Sequence, residues 1–118
     1  MKKLIFCFDI DNVICRTKDS DYSNSKPIKK VIKIINTLYE NDHYIKIFTA
    51  RYMGRNNENF NKVNKKFYTK TKKILKKWGL KFNKLIMGKP SYHVFIDDKN
   101  FNFNKNWTKS FSKKYIKK

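Results

Sequence analysis

Four of the nine acidic residues stand as two pairs, each closing an apolar run: Asp9 and Asp11 in Leu-Ile-Phe-Cys-Phe-Asp-Ile-Asp, and Asp97 and Asp98 in His-Val-Phe-Ile-Asp-Asp. A short apolar run reads as a buried strand, so each pair is expected where a strand leaves the core. Carboxylates crowded at strand ends repel one another and lose hydration, and a bound cation relieves both costs. In a chain with 29 basic and only nine acidic residues, such clustering points to a Mg²⁺ site. Asp9 and Asp11, two residues apart, lie on the same side of an extended chain and are placed to act together.

The elements that must position these groups follow from periodicity. Residues 3–8 predict a first strand, and the polar stretch 15–26 a loop. Pro27 suits the first turn of a helix whose apolar positions, Ile28, Val31, Ile32, Ile35, Leu38 and Tyr39, recur at helical spacing as far as Asn41. Tyr44 to Phe48 predicts a second strand closing on Thr49-Ala50-Arg51. A loop over 52–59 leads to a long helix with the stripe Phe60, Val63, Phe67, Thr71, Ile74, Leu75 and Trp78, stopped by Gly79. Phe82 to Met87 reads as a third strand before Gly88-Lys89-Pro90, and His93 to Ile96 as a fourth running into Asp97. The tail from Asn100 has no assignable pattern.

This order predicts an α/β fold with a mainly parallel sheet, whose reactive groups gather at the carboxyl ends of strands. Asp9, Thr49 and Asp97 all fall at such ends. At 118 residues the chain is expected to be one domain, with loops as the only cover over a site. No apolar run approaches a membrane span, and the opening Met-Lys-Lys-Leu-Ile-Phe leads directly into a strand without a cleavage site. The expectation is a soluble, cytoplasmic protein that makes no membrane contact and holds Cys7 and Cys15 as reduced, inert thiols.

The formal charge of +20 admits two explanations. A basic surface attracts nucleic-acid backbones whatever their sequence. Yet the chain has 26 Lys, 3 Arg, 14 Asn and a single Ala, a bias toward residues with A/T-rich codons. Scarcity of Arg, the preferred reader of phosphates and bases, favours compositional drift over a selected nucleic-acid surface.

Taken in order, Asp9-Ile10-Asp11, Thr49, Lys89 and Asp97-Asp98 resemble the four short motifs of the haloacid dehalogenase superfamily of phosphohydrolases, over about residues 3–99. The resemblance implies a three-layer Rossmannoid α/β domain with a mainly parallel sheet flanked by helices and no large cap. It implies that Asp9 is the nucleophile, taking the phosphoryl group as an aspartyl-phosphate, and that Asp11 protonates the leaving group and then activates water. Mg²⁺ would be held by Asp9, the Asp11 carbonyl and Asp97, with Asp98 supporting that shell. The Thr49 hydroxyl and Ala50 N–H would bind phosphoryl oxygens, and Lys89 would neutralise charge. The family's first motif commonly continues with Gly and Thr. Here Asn12 can take the left-handed backbone of that Gly, whereas Val13 lacks the Thr hydroxyl. His43 and His93 have no part in this chemistry.

Each residue also has an ordinary reading: Asp11 or Asp98 as a helix cap, Thr49 as a strand-end hydroxyl, Lys89 as one lysine among many. Other motifs fit less well. A calcium loop from Asp9 lacks its central Gly and final Glu, nucleotide-sugar transferases need a larger domain, and receiver domains carry their acidic pair and phosphorylated Asp in the opposite order.

Within the superfamily, Asp21-Tyr22-Ser23, Ile47-Phe48-Thr49-Ala50-Arg51, Met53-Gly54-Arg55-Asn56 and Gly88-Lys89-Pro90 are similar to small capless phosphatases of capsule and polysaccharide biosynthesis. That similarity implies a sugar phosphate as substrate. The alternatives are a capless 3′-phosphatase acting on nucleic-acid ends and a basic nucleic-acid-binding protein without turnover. Arg16, Arg51 and Arg55 fall in two loops expected to flank the site. Of these, Arg51 and Arg55 are expected to bind an anionic part of the substrate.

Overall fold

The computed structural model describes residues 2–116. Its centre is a three-stranded parallel sheet made of β1 (Ile5–Phe8), β4 (Tyr44–Thr49) and β5 (Lys84–Met87), in the order β1-β4-β5. Helix α1 (Lys29–Glu40) connects β1 to β4 and α2 (Phe60–Lys77) connects β4 to β5, so two βαβ units share the middle strand. A short antiparallel pair, β2 (Cys15–Arg16) and β3 (Lys26–Pro27), closes the loop after β1, and α3 (Trp107–Tyr115) ends the described chain.

The helices form where the apolar spacing predicts them. In α1, Val31, Ile32, Ile35 and Leu38 are buried; in α2, Val63, Thr71 and Leu75 are. The Asn59 side chain caps α2 by accepting from the Lys62 N–H, and Gly79 follows the helix at φ +79°, a left-handed position suited to glycine. Pro27 does not open α1. It pairs with Cys15 in the β2–β3 ribbon, and the Ile28 N–H donates to the Ile14 carbonyl, which holds the chain extended until Lys29.

Register fixes the two faces of the sheet. Phe6 pairs with Ile45, Phe8 with Ile47 and Ile47 with Leu85, so these side chains share one face. Tyr39 of α1, Tyr68 of α2 and Leu85 line one cavity on that side, and Phe111 of α3 places its ring 5.6 Å from Phe6 and 5.9 Å from Phe8. All three helices therefore cover the same face. The opposite face, with Ile5, Cys7, Tyr44 and Lys84, is exposed. The expected third layer is not formed among the described residues. A strand order that advances in one direction sends both right-handed crossovers to the same side, and α3 returns there too.

The fourth strand expected over 93–96 is likewise not formed. Val94 and Ile96 are 74% and 91% exposed and the segment pairs with no strand, leaving β1 at the sheet edge among the described residues. The apolar run had the signature of a strand, but His93 lies in a bend and the segment finds neither a partner strand nor a covering layer. The unassigned tail instead supplies core: Trp107 and Phe111 of α3 are buried. No helix among the described residues is long and apolar enough to cross a membrane.

Candidate active site

Beyond β1 the chain turns tightly, with the N–H groups of Val13, Ile14 and Cys15 all directed to the Ile10 carbonyl at 2.9–3.3 Å. Asn12 takes φ +63° here, the left-handed backbone anticipated for it, and its side chain accepts from the Thr17 N–H. The turn sets Asp9 and Asp11 on the wall of a cavity of about 580 Å³. Ala50, Arg51 and Arg55 from the loop after β4 line the same cavity, as does Tyr92 beyond β5. The site thus lies at the carboxyl ends of the parallel strands, where such sheets place their ligands.

Asp9, half-buried, pairs with buried Lys89, Nζ lying 3.2 Å from Oδ2, while Asp9 Oδ1 accepts the Ile10 N–H at 2.7 Å. Burial raises the Asp9 pKa above the ordinary carboxylate value, and Lys89 only partly offsets it. The Lys89 pKa is raised as well: burial acts to lower it, but contacts with Tyr92 and Asp9 outweigh that effect. Aromatic rings enclose the ammonium, Phe95 at 4.7 Å, Tyr92 at 5.2 Å and Phe48 at 6.0 Å from centroid to Nζ. Gly88 sets the lysine's course at φ +93°, and a Cβ there would lie 2.3 Å from the Phe60 ring.

Asp11 is held differently. Arg51 Nε lies 3.0 Å from Oδ2 and Nη2 2.9 Å from Oδ1, a bidentate ion pair, and the Thr17 hydroxyl also donates to Oδ1. Arg51 is itself fixed, donating from Nη2 to Ser25 Oγ at 2.9 Å and stacking over Tyr22 at 4.7 Å. Arg55 lies over the same ring at 4.9 Å and donates to the Ser20 carbonyl. Both arginines expected to meet substrate thus also tie the 15–26 loop to the loop after β4. Arg16 is exposed on β2, outside the cavity wall.

Thr49 is fully buried behind the wall. Its hydroxyl accepts the Arg51 N–H at 3.0 Å and its carbonyl accepts the Lys89 N–H at 3.1 Å, so it joins the β4 and β5 ends of the site. Asp97 and Asp98 are exposed on the unpaired segment. Asp97 Oδ1 accepts the Lys99 N–H at 2.9 Å, and its pKa is lowered chiefly by that bond. The structure therefore brings together Asp9, Asp11, Thr49, Ala50, Arg51, Arg55 and Lys89. It leaves Asp97 and Asp98 outside the cavity wall. Among the described residues no three carboxylate, His or Cys side chains converge on one point; of the expected Mg²⁺ ligands, Asp9 and Asp11 lie on the cavity wall and Asp97 lies outside it.

Thr17, Tyr22, Ser25 and Tyr92 were not anticipated. Thr17 had a readable signal: Val13 leaves the first motif without its usual hydroxyl, and Thr17 lies one short turn further on. The others act through contacts between distant loops, which spacing does not record. Cys15 is buried, and burial raises its thiol pKa, so it is poorly reactive; Cys7 is also free.

Comparison with known proteins yields no matching family model and no matching curated protein. Among solved structures the chain is similar to a structural-genomics target from Vibrio cholerae, with 24% identity over 96% of this chain and 98% of that one and a TM-score of 0.76. At that identity the likeness bears on the fold alone.

Proposed function

We propose that the chain is a phosphomonoester hydrolase that works through an aspartyl-phosphate at Asp9. The observation carrying this reading is Asp9, paired with Lys89 behind it, on the wall of a cavity shared with Asp11 at the carboxyl end of the sheet. In the first step an Asp9 carboxylate oxygen attacks phosphorus, and the ester P–O bond breaks as the leaving oxygen takes a proton from Asp11. In the second, Asp11 accepts a proton from water, the water oxygen attacks phosphorus, and the bond to Asp9 breaks to release phosphate. Lys89 steadies negative charge on Asp9 and on the phosphoryl oxygens, and the N–H of Ala50, a residue of the cavity wall, bonds a phosphoryl oxygen.

The family resemblance adds Mg²⁺, with Asp9, Asp11 and Asp97 as ligands and Asp98 in support. Since those groups do not converge in the structure, the steps above are confined to the chain's own residues. The cavity suits a small phosphorylated molecule, and a sugar phosphate of polysaccharide or capsule synthesis is the class the sequence resemblance favours. Phosphate release from a panel of sugar phosphates, compared with the Asp9→Asn variant, tests the reading; equal release by both would refute it.

A second reading rests on α2, which carries eight lysines and no acidic residue. That surface supports the polynucleotide 3′-phosphatase alternative, or nucleic-acid binding without turnover. Faster turnover of 3′-phosphorylated oligonucleotides than of every sugar phosphate would favour the former. Tight oligonucleotide binding with no turnover of any substrate would favour the latter.

A further inference from the structure

Asp11 is asked to exchange protons with a leaving group and with water, yet all of its bonds in the structure run elsewhere. Both of its oxygens accept from Arg51, and Oδ1 also accepts from Thr17. Of the two partners in the ion pair, Asp11 is the one free to move. Its side chain is 21% exposed on the cavity wall, whereas that of Arg51 is 2% exposed and fixed by Ser25 and Tyr22. A buried guanidinium deprived of its anion is strongly unfavourable, so Asp11 cannot leave unless another anion takes its place. The planar fork suits a carboxylate or a phosphoryl group through two N–H groups, and with the reacting phosphoryl group committed to Asp9 and Lys89, a carboxylate elsewhere on the substrate is the replacement available.

We propose that Arg51 is the specificity switch of this cavity: a carboxylate on the substrate displaces Asp11 from the guanidinium and frees Asp11 for proton transfer. The preferred substrate is then a phosphomonoester that also carries a carboxylate, such as a phosphorylated sugar acid. This rests on the phosphatase reading and narrows its substrate class.

The test compares 6-phosphogluconate with sorbitol 6-phosphate, which carries a hydroxymethyl group where the former has its carboxylate. The wild-type protein should prefer the carboxylate compound by about 10-fold or more in kcat/KM, the range for a charge-assisted bond. Arg51→Gln should abolish that preference while raising kcat for sorbitol 6-phosphate, because Asp11 is no longer held. A parallel fall for both compounds would mean that Arg51 is only structural, and would overturn the proposal. A second measurement needs neither turnover nor a variant. The chain has only 3 arginines, so an ¹⁵N-edited spectrum of arginine Nε–H groups contains three signals, one of them Arg51. Movement of that signal on addition of 6-phosphogluconate, but not of sorbitol 6-phosphate, supports the exchange. A signal that 6-phosphogluconate leaves in place overturns it. Absence of Asp9-dependent phosphate release would instead count against the phosphatase reading, and the spectrum would still decide the role of Arg51.

Discussion

Lys89 meets the site through two separate bonds: its ammonium lies 3.2 Å from Asp9, and its backbone N–H donates to the Thr49 carbonyl at 3.1 Å. The second residue after β5 thereby locks the ends of β1 and β4 into one constellation. Lys89→Met should leave half-buried Asp9 without its paired ammonium and lower kcat by about 10²- to 10³-fold, the usual cost of removing one preorganised stabilising group. Steady-state kinetics on an aryl phosphate would show this. A loss below about twofold would detach Lys89 from the chemistry.

The pH profile carries a sign that can be checked. Burial raises the Asp9 pKa above its ordinary 3.8, and Asp9 must be ionised to attack. The acid limb of kcat/KM should accordingly lie above pH 3.8. Lys89 acts to lower that pKa, so in Lys89→Met the limb should move further up. A limb that stays put in the variant would mean that another group controls it.

His43 offers a stability test away from the site. Its Nδ1 accepts the Leu4 N–H at 3.0 Å, its Nε2 is buried without a partner, and burial lowers its pKa below 6.5. Protonation would break the Leu4 bond and leave a buried charge. Because the folded pKa lies below the unfolded one, the neutral form's contribution is fully present above pH 6.5 and is lost as pH falls through the folded value. Urea unfolding at stepped pH should show this decline in the wild-type protein and a shallower one in His43→Gln. Parallel declines would assign the acid sensitivity to other groups.

How much of this was legible in the sequence depends on whether a signal was local. Asp9 at a strand end, the α2 stripe from Val63 and the left-handed Asn12 all follow from neighbours in sequence and are found, whereas Phe60, expected to open that stripe, is exposed. Val94 and Ile96 had the same apolar signature as β1, but nothing local records whether a partner strand or covering layer exists. The Arg51–Asp11 pair spans 40 positions and joins two residue types that pattern reading assigned to separate roles. Trp107 and Phe111 were hidden for a related reason: in a Lys- and Asn-rich tail, only their fit against Phe6 and Phe8 shows them to be core.

Gly88 separates stability from charge at the Lys89 turn. With φ at +93°, an added Cβ would be strained by its backbone and would also stand 2.3 Å from the Phe60 ring, whose side chain would have to shift. Gly88→Ala should cost about 2 to 4 kcal/mol, combining a left-handed backbone penalty with overpacking. A compensating Phe60→Leu change should recover part of this, since it opens the space without relieving the backbone. Denaturant midpoints of the two single variants and the double variant would show it, and an unchanged midpoint in Gly88→Ala would show that this turn is not rigid.

The metal question has its own experiment, because Asp97 lies outside the cavity wall and no cation site is assembled among the described residues. If the sequence resemblance to the haloacid dehalogenase phosphatases holds, EDTA should abolish phosphate release and Mg²⁺ restore it. Asp97→Asn should then weaken the response to Mg²⁺ more than Asp98→Asn does, since Asp97 is the implied direct ligand. Mg²⁺ held between Asp9 and Asp97 would tie down the exposed segment 92–98. Mg²⁺ should therefore slow amide hydrogen exchange across 92–98, with no such slowing in Asp97→Asn. Turnover undiminished by chelator, with exchange in that segment unaffected by Mg²⁺, would show that the Asp9–Lys89 pair supplies the charge compensation without a cation.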